Sequence, residues 1–280
     1  MKTEASIILG IYRGLISLKG EEGIPVRLRP ASVVGTVQDD PFDRWVERAI
    51  RKIAPKNLEI FRSGSLTTPD LVIRDKESDT TIGLEIKKLI QRSNGKDPRG
   101  MTIDYNSTLP CGKALINVGG ETRIIPCYYL FALLNPASTN IVSLILVDGD
   151  FLNYDVSLYK EAKYANMSEY NHGPYGEGSV RHRNMYTYPN PLNAKISTFY
   201  LRMCLVLKKE DFKRLPSAKN ITEQIIRTDK YGYSFYYLVL DEASSTYNCT
   251  NRVLTIRGIF DACKLREVKE RVALLPSIPA

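Results

Sequence analysis

The sequence predicts an α/β fold, and two observations carry that prediction. The stretch from Asp40 onward places apolar residues at helical spacing, and short apolar runs parted by polar turns follow it and read as strands. With 280 residues, 43% hydrophobic and 25% charged, the chain is long enough for one large domain or two small ones, and apolar enough to bury a proper core. It carries no internal repeat and no low-complexity tract.

Element by element, the N-terminal forty residues hold the apolar pieces 7–11 and 15–18, broken by glycines, which read as a short helix followed by strand or loop. Asp40 caps the next helix and Pro41 suits its first turn. Phe42, Val46, Ala49, Ile50 and Ile53 share one face of it, Asp43 and Glu47 border that face, and Pro55 and Asn57 end the helix. The run 71–73, a polar turn over 75–80, and the run 82–89 read as a β-hairpin. Further strands are expected over 124–134, where a helix is also compatible with the pattern, and over 141–147, 197–207 and 233–240. Helices are expected over 209–215 and 261–275. Between about 159 and 193 the chain turns polar, rich in Tyr, Asn, Gly, His and Arg, as a long functional insertion does.

Charge and cysteine content narrow the function classes. The formal net charge is +8 and the pI about 9.1, which suits a polyanionic partner. No apolar run reaches the length of a membrane span, and the start of the chain lacks the apolar core of a secretory signal. Five cysteines with no CxxC pair suggest neither a disulfide framework nor a zinc ribbon, so a reducing cytoplasm is the expected compartment.

The chemistry is concentrated in Thr68-Pro69-Asp70-Leu71-Val72-Ile73 and Gly83-Leu84-Glu85-Ile86-Lys87-Lys88. Glu85 and Lys87 are two residues apart on a strand, so they share a face, while Leu84 and Ile86 point into the core. The hairpin brings Asp70, at the start of its strand, beside them. Two carboxylates and an amine then converge, as phosphodiester hydrolysis requires. A hard cation such as Mg²⁺ needs only one or two carboxylates besides waters and phosphate oxygens, and a lysine can orient or stabilise the nucleophile. Glu-x-Lys alone is common on solvated strands; the Pro-Asp pair upstream and the interleaved aliphatics make the set distinctive.

Pro69-Asp70 followed by Glu85-Ile86-Lys87 resembles the motif of the PD-(D/E)XK nuclease superfamily. The resemblance implies a restriction-endonuclease-like fold, a mixed central β-sheet flanked by helices, in a single nuclease domain spanning 1–280. It implies that Asp70 and Glu85 bind Mg²⁺ and that Lys87 is the catalytic lysine. A further acid often comes from the preceding helix; Glu47 is the matching residue here, with Asp43 behind it.

Additional segments resemble type II restriction endonucleases, which hydrolyse double-stranded DNA at specific sequences and leave 5′-phosphate ends. Asn106 and Ser107 lie in an Asn-Ser-x-x-Pro segment that suits DNA contact, or simply a turn before Pro110. In the polar insertion, Arg181, His182, Arg183 and Asn184 are the candidates for reading bases, since arginine pairs with guanine and asparagine with adenine in the major groove. A homodimer is expected by the same resemblance, because two-fold DNA favours two-fold protein. Two alternatives stay open: a structure-specific repair or junction-resolving nuclease on the same fold, and a non-catalytic DNA-binding protein that keeps the fold. The intact Asp-Glu-Lys set weighs against the second.

Overall fold

The computed structural model describes residues 3–29, 33–34, 37–38, 40–64, 67–91, 101–105, 112–152, 184–188, 199–215, 219–228, 232–243, 250–255 and 275–280, with 33–34, 37–38, 101–105, 184–188 and 250–255 as backbone alone. The chain begins with helix α1 (Glu4–Ile16), capped by Thr3 through a reciprocal bond with Ser6. Short strands β1 (Ile24–Pro25), β2 (Val33–Val34) and β3 (Val37–Gln38) lead to helix α2 (Pro41–Ile53). As expected, Asp40 caps α2: its Oδ1 accepts the Phe42 N–H at 2.8 Å, and Pro41 opens the first turn.

Strands β4 (Leu58–Arg62), β5 (Leu71–Asp75) and β6 (Thr81–Ile90) form an antiparallel meander. Next come β7 (Met101–Tyr105), β8 (Lys113–Val118), β9 (Glu121–Leu134), β10 (Asn140–Asp148) and β11 (Asn184–Tyr188). The chain continues through β12 (Met203–Lys208), the short helix α3 (Lys209–Lys213), β13 (Ile221–Thr228), β14 (Ser234–Leu240), β15 (Thr250–Thr255) and β16 (Ser277–Ile278).

The main path of the large sheet runs β15-β13-β14-β12-β10-β9-β6-β5-β4. It is mixed: β6 lies parallel to β9 and β10 parallel to β12, whereas β9–β10, β12–β14 and the β4–β5–β6 pairs are antiparallel. The expected α/β class with a mixed sheet is therefore observed. Apart from the sheet, β7 and β11 form a two-stranded antiparallel ribbon with Tyr105 opposite Asn184.

Both faces of the sheet are buried, which is why its central strands read as continuous apolar runs. On one face Leu71, Leu84, Ile86, Leu130, Leu144 and Leu205 pack with the apolar stripes of α1 and α2 and with Phe212 of α3. On the other, Val72, Tyr129, Phe131, Val147 and Val206 pack with Ile116 of β8 and with Phe151 and Phe199. The possible helix over 124–134 is thus a strand, and among the described residues of 197–207 the strand runs from Met203.

Two fixings hold the helices to the sheet. The buried Tyr12 hydroxyl of α1 donates to the Met203 carbonyl at 2.8 Å and accepts the Glu242 N–H at 3.2 Å. At Gly14 an added Cβ would lie 2.5 Å from Ile53 Cδ1. The glycines expected to break the N-terminal helix do not break it; Gly14 instead lets α2 approach closely. The expected helix over 261–275 falls, all but its last residue, outside the described residues. Among the described residues no helix is long and apolar enough to cross a membrane.

Candidate functional site

The β5–β6 hairpin carries the Asp-Glu-Lys set. Leu71 pairs with Leu84 and Val72 with Gly83, so the next step of that register sets Asp70 against Glu85. Asp70 Oδ2 accepts the Ile86 N–H at 2.7 Å, and the Asp70 carbonyl accepts the Ser63 N–H at 2.9 Å. The residue is thereby held between β4 and β6. Its position depends on Gly83, because a Cβ there would come within 2.7 Å of Pro69 Cγ and 3.5 Å of Cys127 Sγ. A side chain at 83 would push the Pro69-Asp70 corner off the strand.

Alternation along β6 sends Ile82, Leu84 and Ile86 to the helix-covered core, leaving Glu85 and Lys87 on the opposite face. The Glu85 side chain is 3% exposed and that of Lys87 17%. Lys87 Nζ donates to Glu85 Oε1 at 2.6 Å, so the buried carboxylate faces a cation. In the parallel neighbour β9, Tyr129 pairs with Glu85 and Phe131 with Lys87, giving the charged pair an aromatic wall.

The acid expected from the preceding helix is Glu47, with Asp43 behind it, both on α2. Glu47 lies 2.9 Å from Arg51 one turn further along the helix, and that pairing turns it along α2. Asp43 lies in the first turn of the helix. Burial, the Asp40 carboxylate and the charge of Glu85 push the Asp43 carboxyl up to about 7, opposed by Lys87 and Lys88. Glu85 and Asp43 thus sit in one electrostatic neighbourhood, which sequence spacing could not choose between since Asp43 and Glu47 flank the same stripe. Sequence reading also missed Lys88, whose Nζ donates to Oδ1 of the α2 cap Asp40 at 2.5 Å. The available signal was the pair of adjacent lysines, which a strand must send to opposite faces.

A divalent cation suits this donor set. Hard ions take carboxylate oxygens and complete their shell with waters and phosphate oxygens, so two carboxylates suffice. Asp70 and Glu85, set opposite one another by the hairpin register, meet that count. Among the described residues no group of three or more His, Cys, Asp or Glu side chains is gathered to hold a metal on its own.

Of the expected DNA contacts, Arg181, His182, Arg183, Asn106 and Ser107 lie outside the described residues. Asn184 opens β11 directly opposite Tyr105, the residue before Asn106. The ribbon therefore sets the backbone ends of the two expected contact segments side by side. Compared with known proteins, the chain matches no family model, no curated protein and no solved structure.

Proposed function

We propose that this chain is a restriction-endonuclease-like enzyme: a type II restriction endonuclease that hydrolyses double-stranded DNA with Mg²⁺ and leaves 5′-phosphate ends. The observation that supports this best is the placement of Asp70 against Glu85 on one hairpin, with Lys87 on the same face as Glu85. In this reading Asp70 and Glu85 hold the Mg²⁺, as the PD-(D/E)XK resemblance implies. The ion supplies Lewis-acid chemistry, neutralising phosphate charge and making water a better nucleophile.

The chain's own groups do the rest. Lys87 orients the attacking water and stabilises developing charge, and the Glu85 carboxylate fixes its ammonium group. Asp43, not Glu47, supplies the helix carboxylate. The β7–β11 ribbon presents the segments around Asn106 and Arg181 to the DNA, since the major groove admits a two-stranded ribbon. The basic pI of about 9.1 favours a polyanion. The enzyme acts in the cytoplasm as a homodimer, matching the two-fold symmetry of its site.

The test is a digest of mapped plasmid DNA by the purified full chain with Mg²⁺, followed by sequencing of the ends. Discrete, reproducible ends bearing 5′-phosphates are expected. Intact plasmid with Mg²⁺ and with Mn²⁺ overturns the nuclease reading; cutting confined to forks or junctions overturns the restriction reading alone.

A further inference from the structure

The register that sets Asp70 against Glu85 extends one strand further. Arg62 pairs with Leu71, so the next step sets Ser63 against Asp70, and the Ser63 N–H donates to the Asp70 carbonyl at 2.9 Å. Ser63, Asp70 and Glu85 therefore form one row across the ends of β4, β5 and β6. Cross-strand partners present their side chains on one face of a sheet. Here it is the face that Glu85 and Lys87 share, opposite the helices. Phe61, two residues before Ser63, packs against the same core as Val72 and Tyr129.

The Ser63 hydroxyl has no evident part in holding the fold. Its Oγ is shielded from solvent and, among the described residues, has no hydrogen-bond partner. A buried hydroxyl in that state costs free energy. An alanine would keep the backbone bond to Asp70 without that cost. Beside two carboxylates, however, a hydroxyl has chemistry to offer. It is a neutral oxygen, so it adds no charge to the repulsion between the acids. It accepts a hydrogen bond from water and donates one to a carboxylate or phosphate oxygen. A hydrated Mg²⁺ keeps several of its waters when one or two carboxylates bind it, and those waters need acceptors.

We propose that Ser63 is a positioning residue of the divalent-cation site: its hydroxyl is the third oxygen group of the Ser63–Asp70–Glu85 row and holds a water of the hydrated ion that the two carboxylates bind. This rests on the nuclease reading of the site. Three neighbouring strands then supply one oxygen group each, and the side facing β4 is met by a hydroxyl instead of a third acid.

The test uses the full chain as wild type, Ser63→Ala and Ser63→Thr. Ser63→Ala retains the backbone N–H that bonds Asp70 and removes only the hydroxyl; Ser63→Thr keeps it. Mn²⁺ affinity by electron paramagnetic resonance, urea unfolding with and without Mn²⁺, and Mg²⁺-dependent cleavage of plasmid DNA are measured on each.

The expected result is that Ser63→Ala weakens Mn²⁺ binding by about tenfold and raises the Mg²⁺ requirement for cleavage, as loss of an outer-shell partner does. Without metal it is as stable as wild type or more so, because a buried hydroxyl with no partner adds nothing to the folded state. Added Mn²⁺ therefore stabilises wild type more than Ser63→Ala, and Ser63→Thr binds the ion as wild type does. Equal Mn²⁺ affinity in Ser63→Ala and wild type overturns the inference while leaving the nuclease reading intact. A metal-free Ser63→Ala less stable than wild type also overturns it, assigning the hydroxyl to the fold. A wild-type protein that neither binds Mn²⁺ nor cuts DNA overturns the nuclease reading, and the inference with it.

Discussion

Asp43 and Glu85 share one electrostatic field, although one opens a helix and the other lies in the middle of a strand: the Glu85 charge is among the causes that push the Asp43 carboxyl up to about 7. Glu47, one helical turn on, is paired with Arg51 instead. The two acids should therefore respond differently to neutralisation. Asp43→Asn is expected to lower Mg²⁺-dependent cleavage by roughly 10–100-fold. Glu47→Gln should leave it near wild type, because it removes only an i,i+4 surface pair. Cleavage rates of the two variants check this, and a larger loss in Glu47→Gln would reverse the assignment.

Gly83 is the contact point that seats Asp70. In Gly83→Ala the new Cβ meets Pro69 Cγ at 2.7 Å and Pro69 Cβ at 3.2 Å. Neither a proline ring nor a buried strand yields readily, so the substitution should cost about 1–3 kcal/mol. Displacing the Pro69-Asp70 corner should also lower cleavage more than stability loss alone explains. Urea unfolding and cleavage at a temperature where the variant stays folded separate the two effects.

Tyr12 ties α1 to the sheet chiefly through the Met203 carbonyl and the Glu242 N–H, with the Leu240 carbonyl at 3.4 Å as a third backbone neighbour. Tyr12→Phe keeps the ring and leaves both groups without the hydroxyl. The expected cost is about 1–3 kcal/mol in urea unfolding. Cleavage at low temperature should be unaffected, since the hydroxyl lies on α1 and not in the site.

Asp148 at the end of β10 gives a pH signature. Burial pushes its carboxyl up from 3.8 to about 7, against the pull of Lys208, whose Nζ lies 3.7 Å away and also bonds Asp150. A carboxyl raised on folding binds its proton more tightly in the folded state. Its contribution to stability is complete below about 4 and is lost as the pH rises through about 7. Asp148→Asn removes that dependence, so the stability of wild type relative to the variant should fall by on the order of 2 kcal/mol between pH 5 and pH 8. Urea unfolding at the two pH values measures it; an equal difference at both would contradict the assignment.

How much of this was legible in the sequence depends on what each residue packs against. Helix α2 was readable to its cap because Asp40, Pro41 and the apolar stripe carry independent signals. The hairpin was readable because Leu84 and Ile86 alternate with Glu85 and Lys87. Strand β9 was ambiguous because both its faces are buried, which erases the period of two. Strand β13 was missed for the opposite reason: it buries Glu223 and Arg227, whose partners are Arg202 at 2.5 Å and the Phe151 ring at 4.0 Å, and no local pattern reveals those. The α1 helix was read as broken because a glycine that makes room for Ile53 looks the same, in sequence, as a glycine that ends a helix. In the site, strand periodicity placed Glu85 and Lys87. What the sequence could not show is that Glu47 pairs with Arg51 while the Asp43 carboxyl is raised by burial and neighbouring carboxylates, since both acids border the same apolar stripe.

The central claim is that Asp70, Glu85 and Lys87 form a site for metal-dependent phosphodiester cleavage. Its most direct test is the Mg²⁺-dependent rate of plasmid cleavage by Asp70→Ala beside wild type, both purified identically so that any contaminating nuclease is common to them. The account predicts that wild type cuts and that the variant is slower by roughly 10³-fold or more while remaining folded. Equal rates in the two proteins would contradict it.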